Sequence, residues 1–218
     1  YLDGNYIAQA KTNKNKSSHW EKYLPYNANF LNEYESLGFG SFTKNSYKNF
    51  IRNQLLKIIF GNKVFKTQIY QEYRSVFNEI DRYIDVDTIR HIFTFEKINE
   101  YLNPKSICVI GDGKLNGVLG ANLTFPDAKI YSVNLSEVLI NDYIILNKMN
   151  IKMKNSVEVV DDLNFIIKDK KLTLVPSNFK KFLLNKNIEL FVNISSFQEM
   201  TVNEISDYFE IIKNNKSK

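Results

Sequence analysis

Four of the eight glycines in this 218-residue chain fall between positions 111 and 120, directly after the apolar run Ser106-Ile-Cys-Val-Ile110. A short, nearly continuous apolar run is what a parallel strand buried on both faces requires. Gly111 and Gly113, placed between such a strand and a helix, let the backbone turn tightly and approach a ligand with no Cβ in the way. The helix N-terminus behind them offers unpaired N–H groups and a positive partial charge, which suit a carboxylate as readily as a phosphate.

The spacing of the glycines narrows the ligand. A dinucleotide fingerprint needs a glycine three residues after Gly113, and that position is Asn116. The chain instead reads G-x-G-x-x-x-G through Gly117, the spacing usual for S-adenosylmethionine sites. A ribose partner is expected about 20 residues on, at the end of the next strand. Asn134, in Ser132-Val-Asn-Leu-Ser136, stands there, where an acid is usual. An amide bonds a ribose hydroxyl more weakly than a carboxylate does, and Asn134 also suits a helix cap.

Around this motif the chain has two textures. Residues 1–103 read as a helical extension, with helices over Asn45–Phe60, Val64–Tyr83 and Asp87–Leu102. Tyr47, Phe50, Ile51, Leu55, Ile58 and Ile59 recur at helical spacing in the first, a pattern read as core packing, and Gly61 stands at its stop. Residues 104–218 alternate strands and helices. Strands are expected at Ala128–Leu135, Val157–Val160, Phe165–Ile167, Lys171–Val175 and Ile188–Ile194, and helices at Ser136–Met149, Asn178–Leu184 and Thr201–Lys213. The fold class is therefore α/β, a Rossmann-like parallel sheet preceded by a helical region.

Composition bounds the partners. The hydrophobic fraction of 44% supports a packed core, and no stretch approaches the ~18 apolar residues of a membrane span. A single cysteine, Cys108, cannot form an internal disulfide, and there is no charged-then-apolar leader, so a cytoplasmic protein is expected. The net charge of +5 comes mostly from dispersed lysines, with four arginines, so no nucleic-acid surface is read from it. The densest basic run, Lys11–Lys16, is read as a solvated arm.

Three blocks together resemble the sugar O-methyltransferase family of S-adenosylmethionine-dependent enzymes. They are Ile107-Cys-Val-Ile-Gly-Asp-Gly113, Tyr131-Ser-Val-Asn-Leu-Ser-Glu137 and Phe191-Val-Asn-Ile-Ser-Ser-Phe-Gln-Glu-Met-Thr201, the last leading into a helix with Asp207-Tyr-Phe-Glu210. Ser18-His-Trp-Glu-Lys22 is similar to the family's N-terminal region. The resemblance implies a class I methyltransferase sheet with the cofactor over the C-terminal strand ends. Gly111, Asp112, Gly113 and Gly117 would lie near its methionine part and Asn134 near the ribose. Pro176, Ser177 and Asn178 would lie near the adenine. Asn193, Ser195, Ser196, Gln198 and Glu199 would line the transfer site, Ser196 and Gln198 facing the acceptor. Such enzymes usually carry an acid two residues before the first glycine, where this chain has Val109. Their sheet continues for three more strands, so this piece alone is expected to be aggregation-prone and inactive, its fourth main strand lacking a neighbour.

Methyl transfer to a hydroxyl needs the acceptor held in line and its proton removed. The two histidines, His19 and His91, lie outside the sheet half. Glu199 is the candidate base, with Gln198 at the histidine-like position of small-molecule O-methyltransferases. No metal site is assigned to the acidic pair Asp161-Asp162. The acceptor class is a sugar, nucleotide-sugar or glycan, and the oligomeric state is left open. Two alternatives stand beside this reading. One is a catalytically degenerate binding protein, suggested by Val109, Asn134 and Gln198. The other is an NAD(P)-dependent oxidoreductase, whose Tyr101-x-x-x-Lys105 match contains Pro104 and precedes the glycine strand.

Overall fold

The computed structural model describes residues 47–80, 82–184 and 186–215, so the basic arm, the 18–22 block and His19 lie outside the described residues. Ser106–Ile110 forms strand β1, with Ile107 and Val109 entering one core and Cys108 and Ile110 a second. That two-sided burial is what the unbroken apolar run demands. The other strands are β2 (Lys129–Asn134), β3 (Val157–Val159), β4 (Leu172–Pro176) and β5 (Leu190–Asn193). They lie in the order β3-β4-β2-β1-β5, all pairings parallel. Leu190, Ile107, Ile130 and Leu172 stand opposite one another across four strands and form an apolar row. The architecture is α/β, compatible with a Rossmann-like fold.

Helices α1 (Tyr47–Phe60), α2 (Gln68–Glu79), α3 (Val86–Tyr101), α4 (Asn116–Thr124) and α5 (Ser136–Lys148) contribute to the first core. The second core is closed by α6 (Val202–Asn215) and a 3-10 helix over Ser177–Leu183. Lys180 Nζ ties the two together, reaching Glu204 at 2.7 Å and Asp207 at 3.0 Å. Asn215 accepts from the Ile188 amide and donates to the Leu183 carbonyl, fixing the far end of α6 just ahead of β5.

Three expectations need correction. The helix read over Val64–Tyr83 is broken. Val64–Lys66 is a 3-10 turn, and Thr67, extended at ψ 154°, caps α2 by accepting from the Tyr70 amide at 3.2 Å. The strand read at Phe165–Ile167 is instead part of the irregular crossover between β3 and β4, residues 160–171. A parallel crossover must cover a sheet face. Phe165 and Ile167 do so against the second core, with Phe165 edge-on to Phe182 at 6.0 Å. Glu158 pins the segment, accepting from the Lys168 amide at 2.7 Å and Thr173 Oγ1 at 2.8 Å. Finally, Ile51, Leu55, Ile58 and Ile59 of the α1 stripe are exposed and not core, Ile58 by 78%, whereas Leu56 is buried, and the side chains of Tyr47 and Phe50 lie outside the described residues. Gly61 follows at φ +75°, the left-handed stop that its position suggested.

Lys171, just before β4, closes the turn after α4. Its Nζ donates to the carbonyls of Phe125 at 3.3 Å, Pro126 at 2.6 Å and Ala128. These are carbonyls at and just beyond the helix C-terminus, where a cation is favoured. Lys171→Met is expected to lower stability by about 1–2 kcal/mol. An unchanged urea midpoint would show the ammonium to be idle.

Among the described residues no helix is long and apolar enough to cross a membrane.

Candidate functional site

The strand order sets the location. From β1 the chain moves to β2, then to β3 and β4 on the same side, and returns with β5 on the other side of β1. The direction of winding reverses between β1 and β5, and the crevice at the carboxyl ends of such strands is where open α/β sheets bind ligands. The turn 111–115 and the segment 194–200 flank that crevice.

These two segments touch. Gly111 has φ +73°, and its amide donates to the Val133 carbonyl at 2.8 Å. A Cβ on Gly111 would fall 2.2 Å from Ser196 Oγ and 3.7 Å from Met200 Cε. Ser196 Oγ donates to the Ile110 carbonyl at 3.0 Å and accepts from Asn193 Nδ2. Asn193 Oδ1 accepts in turn from the Phe197 amide at 3.3 Å. Of the predicted residues, Gly111, Asn193 and Ser196 are thus drawn into one cluster, and Ser195 takes the left-handed bend between them at φ +71°. Gln198 is exposed and Glu199 half-buried on the 3-10 turn that follows, while Phe197 packs on Tyr208 and Phe209.

A second cluster joins Asp112 to Asn134. Asn134 Nδ2 donates to the Asp112 carbonyl at 2.8 Å, and its Oδ1 accepts from the Leu135 amide at 2.9 Å. Both ends of that side chain are therefore engaged within the chain. Glu137, buried in the first turn of α5, is the next acid along. Asp112 is itself turned inward, its Oδ2 accepting from the Val118 amide at 2.8 Å. Pro176 is buried and stands in register with Asn134, leaving Ser177 half-buried and Asn178 exposed at the same sheet edge.

Gly113 is half-buried in the turn, and Gly117 has a packing role. A Cβ on Gly117 would lie 2.7 Å from Val109 Cγ1 and 3.2 Å from the His91 ring. Its bareness lets α4 close on β1 and α3, the task of the third glycine in a βα turn. Val109, two residues before Gly111, is accordingly core. His91 is buried on α3, and burial, opposed by Asp112, Asp87 and Asp85, lowers its pKa.

Sequence reasoning missed the groups that hold the turn. Lys114 and Leu115, neither of them glycine, have φ of 114° and 63°. The amides of Lys114, at 3.1 Å from Oδ1, and of Leu115 both face the Asp142 carboxylate. Burial first, then Asp112, pushes the Asp142 pKa well above the usual carboxylate range. Arg82 donates from Nη1 to the Lys114 carbonyl at 2.6 Å and from Nη2 to Asn116 Oδ1 at 2.7 Å. Tyr73 OH donates to the Asn116 carbonyl at 2.6 Å. Lys114 Nζ pairs with Asp85 at 3.1 Å. Burial opposes ionisation of Asp85, yet Lys114, two bonds from Thr88 and Arg82 together hold its carboxyl below the ordinary value.

The charge pattern bears on what ligand the turn accepts. Amides at 114, 115 and 118, the donors that would cradle a phosphate, already serve Asp142 and Asp112. A phosphate would therefore have to displace a carboxyl group to reach these amides. Among the described residues no three His, Cys, Asp or Glu side chains are grouped to hold a metal ion. Comparison of the chain with protein-family models, curated proteins and solved structures finds no match in any of the three.

Proposed function

We propose that this chain is an S-adenosylmethionine-dependent O-methyltransferase, or the cofactor-binding piece of one, acting on a hydroxyl of a sugar or glycan. The observation that carries the reading is the occupation of the α4 N-terminus by Asp112 and of the turn amides by Asp142. That arrangement argues against a dinucleotide, and G-x-G-x-x-x-G spacing at a sheet reversal point supports the sulfonium alternative.

When bound, S-adenosylmethionine supplies an already activated methyl group. The chain's own residues have the remaining tasks. Gly113 brings backbone close to the ligand, while Gly111 makes room for the Ser196 side chain at the β5 end. Ser177 and Asn178 offer polar groups at the β4 end for an adenine, and Asn193 and Ser195 line the methyl-transfer site at the β5 end. Glu199 takes the acceptor proton, while Ser196 and Gln198 orient the acceptor hydroxyl. In this reading the sheet is the first part of a class I methyltransferase sheet, and a further strand would join β5, which among the described residues pairs with β1 alone.

A second reading is favoured by Asn134, whose side-chain donor and acceptor are both engaged inside the chain, so that it offers a ribose little. With Val109 in the core, this is the pattern of a binding protein that has lost its cofactor. Calorimetric titration separates the two. The first expects S-adenosylmethionine to bind the 218-residue chain with a Kd on the order of 1–100 μM, and NADH not to bind. A folded chain that leaves both ligands unbound supports the second, and NADH binding alone would revive the oxidoreductase.

A further inference from the structure

We propose that Arg82 is the positioning residue of the glycine turn: from the link between α2 and α3 it holds Lys114 and Leu115 in the backbone geometry that shapes the crevice at the β1 end. The relevance to a ligand rests on the methyltransferase reading, whereas the clamp itself does not.

Arg82 is one of four arginines in the chain and is 3% exposed. Removing a guanidinium from water costs several kcal/mol unless its donors and charge are matched. They are matched here by the turn. Nη1 takes the carbonyl on the N-terminal side of Leu115, and Nη2 takes the Asn116 side chain on its C-terminal side. The guanidinium lies 4.1 Å from the centroid of the Phe77 ring, and its charge faces Asp85, Asp112 and Asp142. A planar fork of donors is suited to bracketing a single residue in this way.

The bracketed residue needs it. Two successive non-glycine residues at positive φ cost about 1–3 kcal/mol each and persist only where their surroundings over-determine them. Asp142 fixes the amides of this pair from α5, Arg82 fixes the carbonyl of Lys114, and Tyr73 fixes the carbonyl of Asn116 from α2. The contact is reciprocal, since Lys114 Nζ returns to Asp85, the residue that caps α3 through the Thr88 amide at 2.9 Å. The helical layer before residue 103 is therefore part of the site, and the turn's shape depends on it.

The test compares the 218-residue chain with Arg82→Met and Arg82→Lys by amide hydrogen exchange and by titration with S-adenosylmethionine. Arg82→Met is expected to speed exchange of amides 113–119 by about tenfold, while amides of β2 and β4 stay within about twofold. Arg82→Lys, which keeps one charge but not the fork, falls between. On the methyltransferase reading, Arg82→Met also raises the Kd for S-adenosylmethionine by about tenfold in the titration. General loss of fold would instead lower the fraction of chain that binds and leave the Kd unchanged. Unchanged exchange in the turn, or exchange rising equally across the sheet, overturns the clamp. If Arg82→Met does not fold, Arg82→Lys is judged by the same contrast. A wild-type chain without affinity for S-adenosylmethionine refutes the methyltransferase reading and leaves the clamp to be decided by exchange alone.

Discussion

Gly111→Ala is expected to destabilise the chain by about 2–4 kcal/mol, from two separable causes. The first is local. Gly111 has φ +73°, where an alanine costs roughly 1–2 kcal/mol and gains nothing from helix propensity because the position is outside α4. The second is contact. The new Cβ would lie 2.2 Å from Ser196 Oγ and 2.3 Å from Ser196 Cβ, and the serine cannot simply swing aside. Its hydroxyl donates to the Ile110 carbonyl, and its Cβ is fixed by the left-handed bend at Ser195. Displacing it also breaks the Asn193 contacts that shape the β5 end. Gly111→Ala combined with Ser196→Gly removes the collision but not the strain, so the double variant is expected to recover roughly half of the loss. Urea denaturation of the three variants measures both parts. A single variant within about 0.5 kcal/mol of wild type would show the turn to be far softer than its contacts imply.

The parts of this site that sequence displays are those with local signatures. The run at 106–110 announces a doubly buried strand, the glycines announce the turn, and β2 and β5 lie within the strands expected around them. Those signals depend on neighbouring residues alone. Thr67 also had a local signature, a threonine immediately ahead of an amphipathic run, and the longer helix read over it ignored its capping chemistry. Arg82 and Asp142 are different, because each meets the turn across about 30 residues of chain. Yet α5 carried a clue. Val138, Leu139, Ile145 and Leu146 mark its buried stripe, and Asp142 falls on that stripe at helical spacing. An acid on a buried face needs donors, and the nearest supply is a turn with unpaired amides. The apolar residues of α1 failed in the opposite sense. Helical periodicity shows that one face is apolar but not that anything covers it, and Ile58 and Ile59 are exposed.

Asp142 gives the second large effect, and its sign with pH is informative. Asp142→Ala removes the acceptor facing the Lys114 and Leu115 amides, and two buried unsatisfied donors cost about 2–5 kcal/mol together. Asp142→Asn keeps a neutral acceptor of the same shape and is expected to cost less than about 1 kcal/mol at pH 7. The contrast follows from burial and Asp112 raising the Asp142 pKa well above its unfolded value, so that the folded chain retains this proton after the unfolded chain has released it. In that window the native state binds more protons, and stability falls as pH rises, by up to about 1.4 kcal/mol per pH unit. The contribution is full below the unfolded value near pH 4 and lost as pH climbs towards the folded one. Asp85, held below the ordinary value, acts only under about pH 4 and is common to both proteins. Between about pH 4.5 and 7 the wild-type chain is therefore expected to lose stability relative to Asp142→Asn. Parallel curves for the two in urea denaturation would mean that Asp142 is ionised in the fold, and the turn would then be held by a charged carboxylate.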